Sequence, residues 1–138
     1  MIVADTGAVV ALIDADDEHH RTLRDAFEAE PDAWILPWAI LPEVDQIVGT
    51  RLGARAARAF RRDLADGAFV VEWGTEGDLV RAVELDERHA ALALGLVDAT
   101  VMAIAERLGA RAIATLDLRH FGSVRLSGAP ALWPRDLV

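Results

Sequence analysis

At 138 residues, 53% hydrophobic and 27% charged, the chain has the length and composition of one globular domain with a substantial core. Cysteine is absent, which excludes a disulfide framework and any thiolate metal site. The formal net charge of −9 argues against a large phosphate-contacting surface, but not against a nuclease, because a carboxylate metal pocket is itself acidic.

No apolar stretch is long enough and free enough of charge to span a bilayer. The chain enters a core strand at Ile2, so no signal peptide is expected and the cytoplasm is the expected location. Ile2 to Asp5 predicts a buried strand. Ala8 to Ile13 predicts a short helix, followed by the polar break Asp14-Ala15-Asp16-Asp17. Glu18 to Glu30 predicts a helix with Leu23, Ala26 and Phe27 on one face. Trp34-Ile35-Leu36 predicts a short strand closed by Pro37. Ile40, Val44, Ile47 and Val48 recur at helical spacing. Ala54 to Leu64 predicts a further helix with Ala56, Ala57, Phe60 and Leu64 inward, and Ala68 to Glu72 a strand. Thr75 opens a helix, with Asp78 three residues on in a pattern like a capping box. Asp98 to Leu108 predicts a helix whose stripe is Val101, Ile104, Ala105 and Leu108, stopped by Gly109. Arg111 to Leu116 predicts a strand. The tail from Ser127 holds Pro130 and Pro134 and predicts loop plus an edge strand. No linker, repeat or low-complexity segment interrupts this order, so a single domain over residues 1–138 is expected. The alternation predicts an α/β fold, a mostly parallel sheet with helices on both faces.

Four acids stand where apolar elements end or open: Asp5, Glu43, Asp98 and Asp117. Strands of an open α/β sheet end at one edge, where such folds place their sites. Asp5 closes the first strand and Asp117 follows the strand ending at Leu116. Glu43, three residues after Ile40 and four before Ile47, should face inward, and Asp45 should face solvent. Asp98 precedes Val101 and Met102 by three and four residues and shares their apolar face. Gathered carboxylates repel, and burying them costs several kcal/mol unless compensated. The usual compensator is a hard divalent cation with oxygen ligands, typically Mg²⁺. Each acid also has a plain structural alternative. Asp98 would serve as an N-cap, Asp5 and Asp117 as turn residues after strands, and Glu43 as the partner of a buried arginine.

Asp5-Thr6-Gly7, Pro42-Glu43, Asp98-Ala99-Thr100, and Thr115-Leu116-Asp117 followed by Arg119-His120-Phe121 occur in order along nearly the whole chain. Together they resemble the PIN domain, and more narrowly the VapC toxins of bacterial toxin–antitoxin pairs. The resemblance implies a three-layer α/β/α sandwich and endoribonuclease activity dependent on Mg²⁺ or Mn²⁺. It also implies a VapB-type antitoxin that covers the site, an RNA substrate and a homodimer. On this reading Asp5 and Asp98 are the first direct ligands, and Asp117 and Glu43 are ligands or hold water. Thr6 and Thr115 add hydroxyl contacts, although threonine near a strand end is also ordinary strand filler. Gly7 departs from the serine frequent at that place in the family, which removes a hydroxyl but no ligand.

Receiver domains and haloacid-dehalogenase-like phosphatases are also acidic α/β folds, but the first use a lysine, which this chain lacks, and the second pair Asp-x-Asp, where position 7 here is glycine. The closer rival is a non-catalytic PIN-like domain that only binds a partner. Arg51, Arg55, Arg58 and Arg62 form a basic stripe read as a solvated face in preference to an RNA track, because Gly53 interrupts it. His19, His20, His89 and His120 lack metal-ligand spacing and read as surface or local hydrogen-bonding residues. Trp34, Trp38, Trp73 and Trp133 read as core or interface packing.

Overall fold

A computed structural model describes residues 1–137. Five strands, β1 (Ile2–Ala4), β2 (Trp34–Pro37), β3 (Val70–Glu72), β4 (Ala112–Ala114) and β5 (Ala131–Trp133), form an all-parallel sheet in the order β3-β2-β1-β4-β5. The helices are α1 (Thr6–Ile13), α2 (His20–Ala29), α3 (Leu41–Leu52), α4 (Ala54–Ala65), α5 (Glu76–Arg88), α6 (Gly95–Leu108) and α7 (Leu118–Phe121). The expected three-layer sandwich is present. β1 and β4 have no polar face: every residue in them is at most 1% exposed. That is why they read as continuous Ile/Val/Ala runs and not as alternation. α1 packs on α2 and α3, α3 on α4, and α5 on α6, which in turn packs on β1 and β2.

Strand order reverses at β1. The chain moves outward through β2 and β3, then returns to add β4 and β5 on the other side. Ala4 pairs with Ala114, and the ladder runs one bond further, with the Asp5 N–H donating to the Ala114 carbonyl at 2.8 Å. Asp5 and Thr115 therefore emerge side by side at the carboxyl edge, where a doubly wound sheet opens a crevice.

Several element ends differ from expectation, each for a local reason. α1 begins at Thr6, two residues early, because Asp5 caps it: Oδ1 accepts from the Thr6 N–H at 2.8 Å. α2 begins at His20 because the Asp14 and Asp17 carboxylates accept from the N–H groups of Asp16 and His19, holding the chain in turns until there. β3 begins at Val70 because the stop of α4 consumes Ala68, whose N–H donates to the Asp63 carbonyl past Gly67 at φ +78°. α6 begins at Gly95, straight after the turn formed by Ala93 and Gly95 at φ 50° and 78°. Asp98 thus lies inside the first turn of α6 and caps nothing. The predicted tail strand is β5.

The capping-box pattern at Thr75 is realised. Thr75 Oγ1 accepts from the Asp78 N–H and Asp78 Oδ2 accepts from the Thr75 N–H. Arg107 on α6 donates to both oxygens of buried Asp78, at 2.8 and 3.0 Å, and to Glu72 at the end of β3. One guanidinium thereby ties β3, α5 and α6 together, and Arg81 to Glu106 at 2.8 Å adds a second bond between the two helices. Burial alone would raise the Asp78 pKa, but the Arg107 hydrogen bonds and the cap outweigh it and the carboxyl lies below its ordinary value. Asp78→Ala should destabilise the protein by about 2 kcal/mol, roughly half from the cap and half from the ion pair. Urea unfolding measures this, and a loss under about 0.5 kcal/mol would show that neither interaction anchors α5.

Candidate metal centre and active site

The carboxyl edge of β1 and β4 opens into a pocket of about 340 Å³ lined by Asp5, Thr6, Gly7, Glu43, Ile47, Asp98, Leu116 and Asp117. All four acids singled out in the sequence line it. Asp5 is only 5% exposed, and both its oxygens are occupied. Oδ1 takes the Thr6 N–H and Oδ2 takes the Thr115 hydroxyl at 3.0 Å. Thr115 Oγ1 also accepts from the Asp117 N–H at 3.0 Å, so one hydroxyl links the two acid-bearing segments. Asp117 caps α7, its Oδ1 accepting from the His120 N–H at 3.0 Å. That fold-back carries the His120 ring toward the pocket, where Nδ1 lies 2.5 Å from Asp98 Oδ2 and 3.2 Å from Asp117 Oδ2.

Two expectations need correction. Glu43 does not face into the fold: it is exposed at the pocket's rim, and Asp45 is the half-buried one, paired with Arg61 on α4 at 3.1 Å. The buried stripe of α3 is Leu41, Val44 and Val48, continued by Ile40, and Glu43 lies with half-buried Ile47 on its flank, where the helix meets the pocket. His120 is not a surface residue; the local hydrogen bonding expected of it is present, to Asp117 three residues back, and its ring also reaches Asp98 on α6. Its side chain is 14% exposed, and with Asp98 and Asp117 it forms a group whose ligand atoms lie within 4.8 Å of one another. Asp5 and Glu43 line the pocket outside that group. The missed signal was local: an N-capping Asp117 puts residue 120 in the first turn, pointing back over the cap. The arginines at 51, 55, 58 and 62 are exposed and have no acidic partner among the described residues. Trp34 is core, whereas Trp38 and Trp73 stack on each other at the surface at 4.7 Å.

The electrostatics show a pocket short of positive charge. Burial, then the Asp98 charge, push the Asp5 carboxyl from 3.8 up to about 7, against the opposing pull of the Thr6 and Thr115 hydrogen bonds. Asp98 is raised too, chiefly by burial, with Asp117 and Glu43 adding to it and His120 opposing. His120 is raised in turn, first by its bond to Asp98. Thr6 Oγ1 is buried at the same place without any hydrogen-bond partner. Clustered oxygens, strained carboxylates and an orphan hydroxyl are a donor set that fits a divalent cation with its waters.

Residues 2–125 match the PIN domain family. The chain belongs to that family. It is 30% identical over 127 residues to ribonuclease VapC26 of Mycobacterium tuberculosis, spanning 92% of this chain and 94% of the relative. The crystal structure of M. tuberculosis VapC20, a toxin that cleaves the sarcin–ricin loop, matches with a TM-score of 0.78 and 25% identity, covering 91% of this chain and 97% of that one. A toxin–antitoxin complex from Klebsiella pneumoniae shares the fold, with a TM-score of 0.68 at 20% identity and coverage of 90% and 92%. The departure at Gly7 is not forced by crowding in this PIN domain, since an added Cβ would meet Leu116 only at 3.7 Å or more.

The raised carboxyl of Asp5 makes a signed prediction for the metal-free PIN domain. The unfolded chain releases this proton near 3.8 and the folded one near 7, so between those values the folded state holds more protons. Stability from this group is full below pH 3.8 and is lost as pH rises through 7, by up to about 4 kcal/mol. In excess chelator, the wild type should lose stability between pH 4 and 8, and Asp5→Asn should flatten that slope. An unchanged slope in denaturant unfolding of Asp5→Asn would show that burial does not hold this proton.

Proposed function

We propose that this chain is a divalent-metal-dependent endoribonuclease, the toxin of a toxin–antitoxin pair, acting in the cytoplasm and neutralised by a VapB-type antitoxin. The observation that carries the reading is the convergence of Asp5, Asp98 and Asp117 on one pocket at the switch point of a PIN sheet. The name of the M. tuberculosis relative supplies the reaction class. Asp5, Asp98 and Asp117 would hold the ion, and Glu43 from the rim through water. The Thr6 N–H and the Thr115 hydroxyl each take one lone pair of an Asp5 oxygen, which fixes the carboxylate and leaves a lone pair on each oxygen for the ion. The unpartnered Thr6 hydroxyl is placed to add one more bond there. When bound, Mg²⁺ or Mn²⁺ supplies Lewis acidity, activating water and neutralising charge that develops on the phosphate.

A pocket this acidic, on a chain of net charge −9, draws a basic segment as readily as a cation, which fits an antitoxin that inhibits by covering it. A second surface suits a protein partner. Trp38 and Trp73, 48% and 67% exposed, line a groove of about 390 Å³ with Leu79 and Leu96, and Val80 and Val83 extend the apolar face along α5. This face fits the homodimer implied by the family resemblance. Among the described residues no helix is long and apolar enough to cross a membrane.

The rival, a PIN fold kept only for binding, is disfavoured by Asp5. A buried carboxyl held at a cost to stability has no use in a surface that merely docks a partner. Purified protein should cleave RNA with Mg²⁺ or Mn²⁺ and stop in excess EDTA. Asp98→Asn and Asp117→Asn should each lower the rate at least about 100-fold without loss of fold. No cleavage with either ion would instead support the binding-only domain, and cleavage that persists in EDTA or in the double variant would overturn the metal-dependent reading.

A further inference from the structure

Among the described residues His120 is the one nitrogen donor within reach of the clustered carboxylates. It is held there from both sides. Its backbone N–H is bonded to Asp117 Oδ1, and the next residue, Phe121, is anchored in the core. Oδ1 of Asp117 is turned to that cap, and Oδ2 is the oxygen turned to the ring, 3.2 Å from Nδ1. Asp98 Oδ2 is on the same nitrogen at 2.5 Å. A cation shared by these two carboxylate oxygens would sit where Nδ1 already points.

We propose that His120 Nδ1 is a direct ligand of the bound ion, so that a mixed nitrogen–oxygen set selects Mn²⁺ over Mg²⁺. The assignment rests on the metal-dependent reading above and goes beyond it by naming a ligand and a preference. Chemistry supports it: a neutral imidazole offers one nitrogen lone pair, and Nδ1 is the ring nitrogen turned to the two carboxylates. Mg²⁺ demands oxygen ligands in near-ideal octahedral geometry and gives up its waters reluctantly. First-row divalent ions accept imidazole, and among them Mn²⁺ is also at home with carboxylates. Entry of the ion would release the proton held between Nδ1 and Asp98 Oδ2 to solvent and replace that hydrogen bond with two coordination bonds.

The alternative role, an imidazole that only donates to Asp98 from outside the coordination sphere, gives a different spectrum. The full chain, stripped of metal, is titrated with Mn²⁺ and with Mg²⁺ by calorimetry, and the Mn²⁺-loaded protein is examined by electron spin echo envelope modulation. The wild type should show an imidazole ¹⁴N coupling that is absent from His120→Gln. His120→Gln should lose about 10- to 100-fold in Mn²⁺ affinity and no more than about threefold in Mg²⁺ affinity. Mn²⁺-loaded wild type without ¹⁴N coupling overturns the assignment, as does failure to bind Mn²⁺ or an equal loss for both ions in the variant. The wild-type spectrum stands whether or not the variant folds. Coupling without RNA cleavage would remove the ribonuclease reading and leave the ligand; cleavage without coupling would do the reverse.

Discussion

The pairing of β1 with β4 is the constraint on which the site depends. These strands are far apart in sequence, and their parallel register sends Asp5 and Thr115 out of the sheet at one edge. The ladder does not stop where the strands do: the Asp5 N–H still bonds Ala114, and the Thr115 N–H still bonds Trp133 on β5. Backbone bonding therefore aims the first acid and the first hydroxyl independently of their side-chain contacts. The Thr115 hydroxyl then joins Asp5 to the Asp117 backbone. A one-residue slip between the strands would turn Asp5 away from the pocket and put an apolar residue in its place.

α6 supplies the third acid, and its position is set by a different kind of interaction. The apolar stripe of α6 lies on β1 and β2, which fixes its distance from the sheet. Arg107 and Glu106 near its C-terminus bond Asp78, Glu72 and Arg81. These ion pairs stand more than two turns along the helix from Asp98. They act on the site by preventing α6 from sliding along its axis, with about 1.5 Å of travel per residue of slip. A fold that brings like charges together needs such restraints, because the acids themselves push the surrounding elements apart.

Much of this was legible in sequence because the signals are one-dimensional. Continuous apolar runs at Ile2 and Ala112 mark buried parallel strands, and acids directly after them mark the edge. The helix of Val101, Ile104 and Ala105 carried its own period. What escaped was phase and fold-back. Glu43 is spaced from Ile40 and Ile47 as an inward residue is, but Ile47 itself is half-buried and the face they share is the rim of the pocket. Asp98 kept an N-cap alternative because nothing in the sequence shows that a turn at Ala93 and Gly95 starts the helix early. His120 escaped because its partners lie 22 residues upstream on α6 and three residues back on its own helix, so no short spacing contains all three. The cap at Asp117 marks where His120 turns, but only the meeting of the two segments supplies Asp98.

The apolar face of α5, with Trp73 at its head, has a consequence for the handling of this protein apart from any partner. Trp73, Leu79, Val80 and Val83 are each more than 40% exposed, a surface that attracts its own kind in water. The net charge of −9 opposes that attraction by keeping free subunits apart. Near the isoelectric point of about 4.8 the repulsion vanishes while the face remains, so mild acid should cloud a solution of uncapped subunits well before it unfolds them.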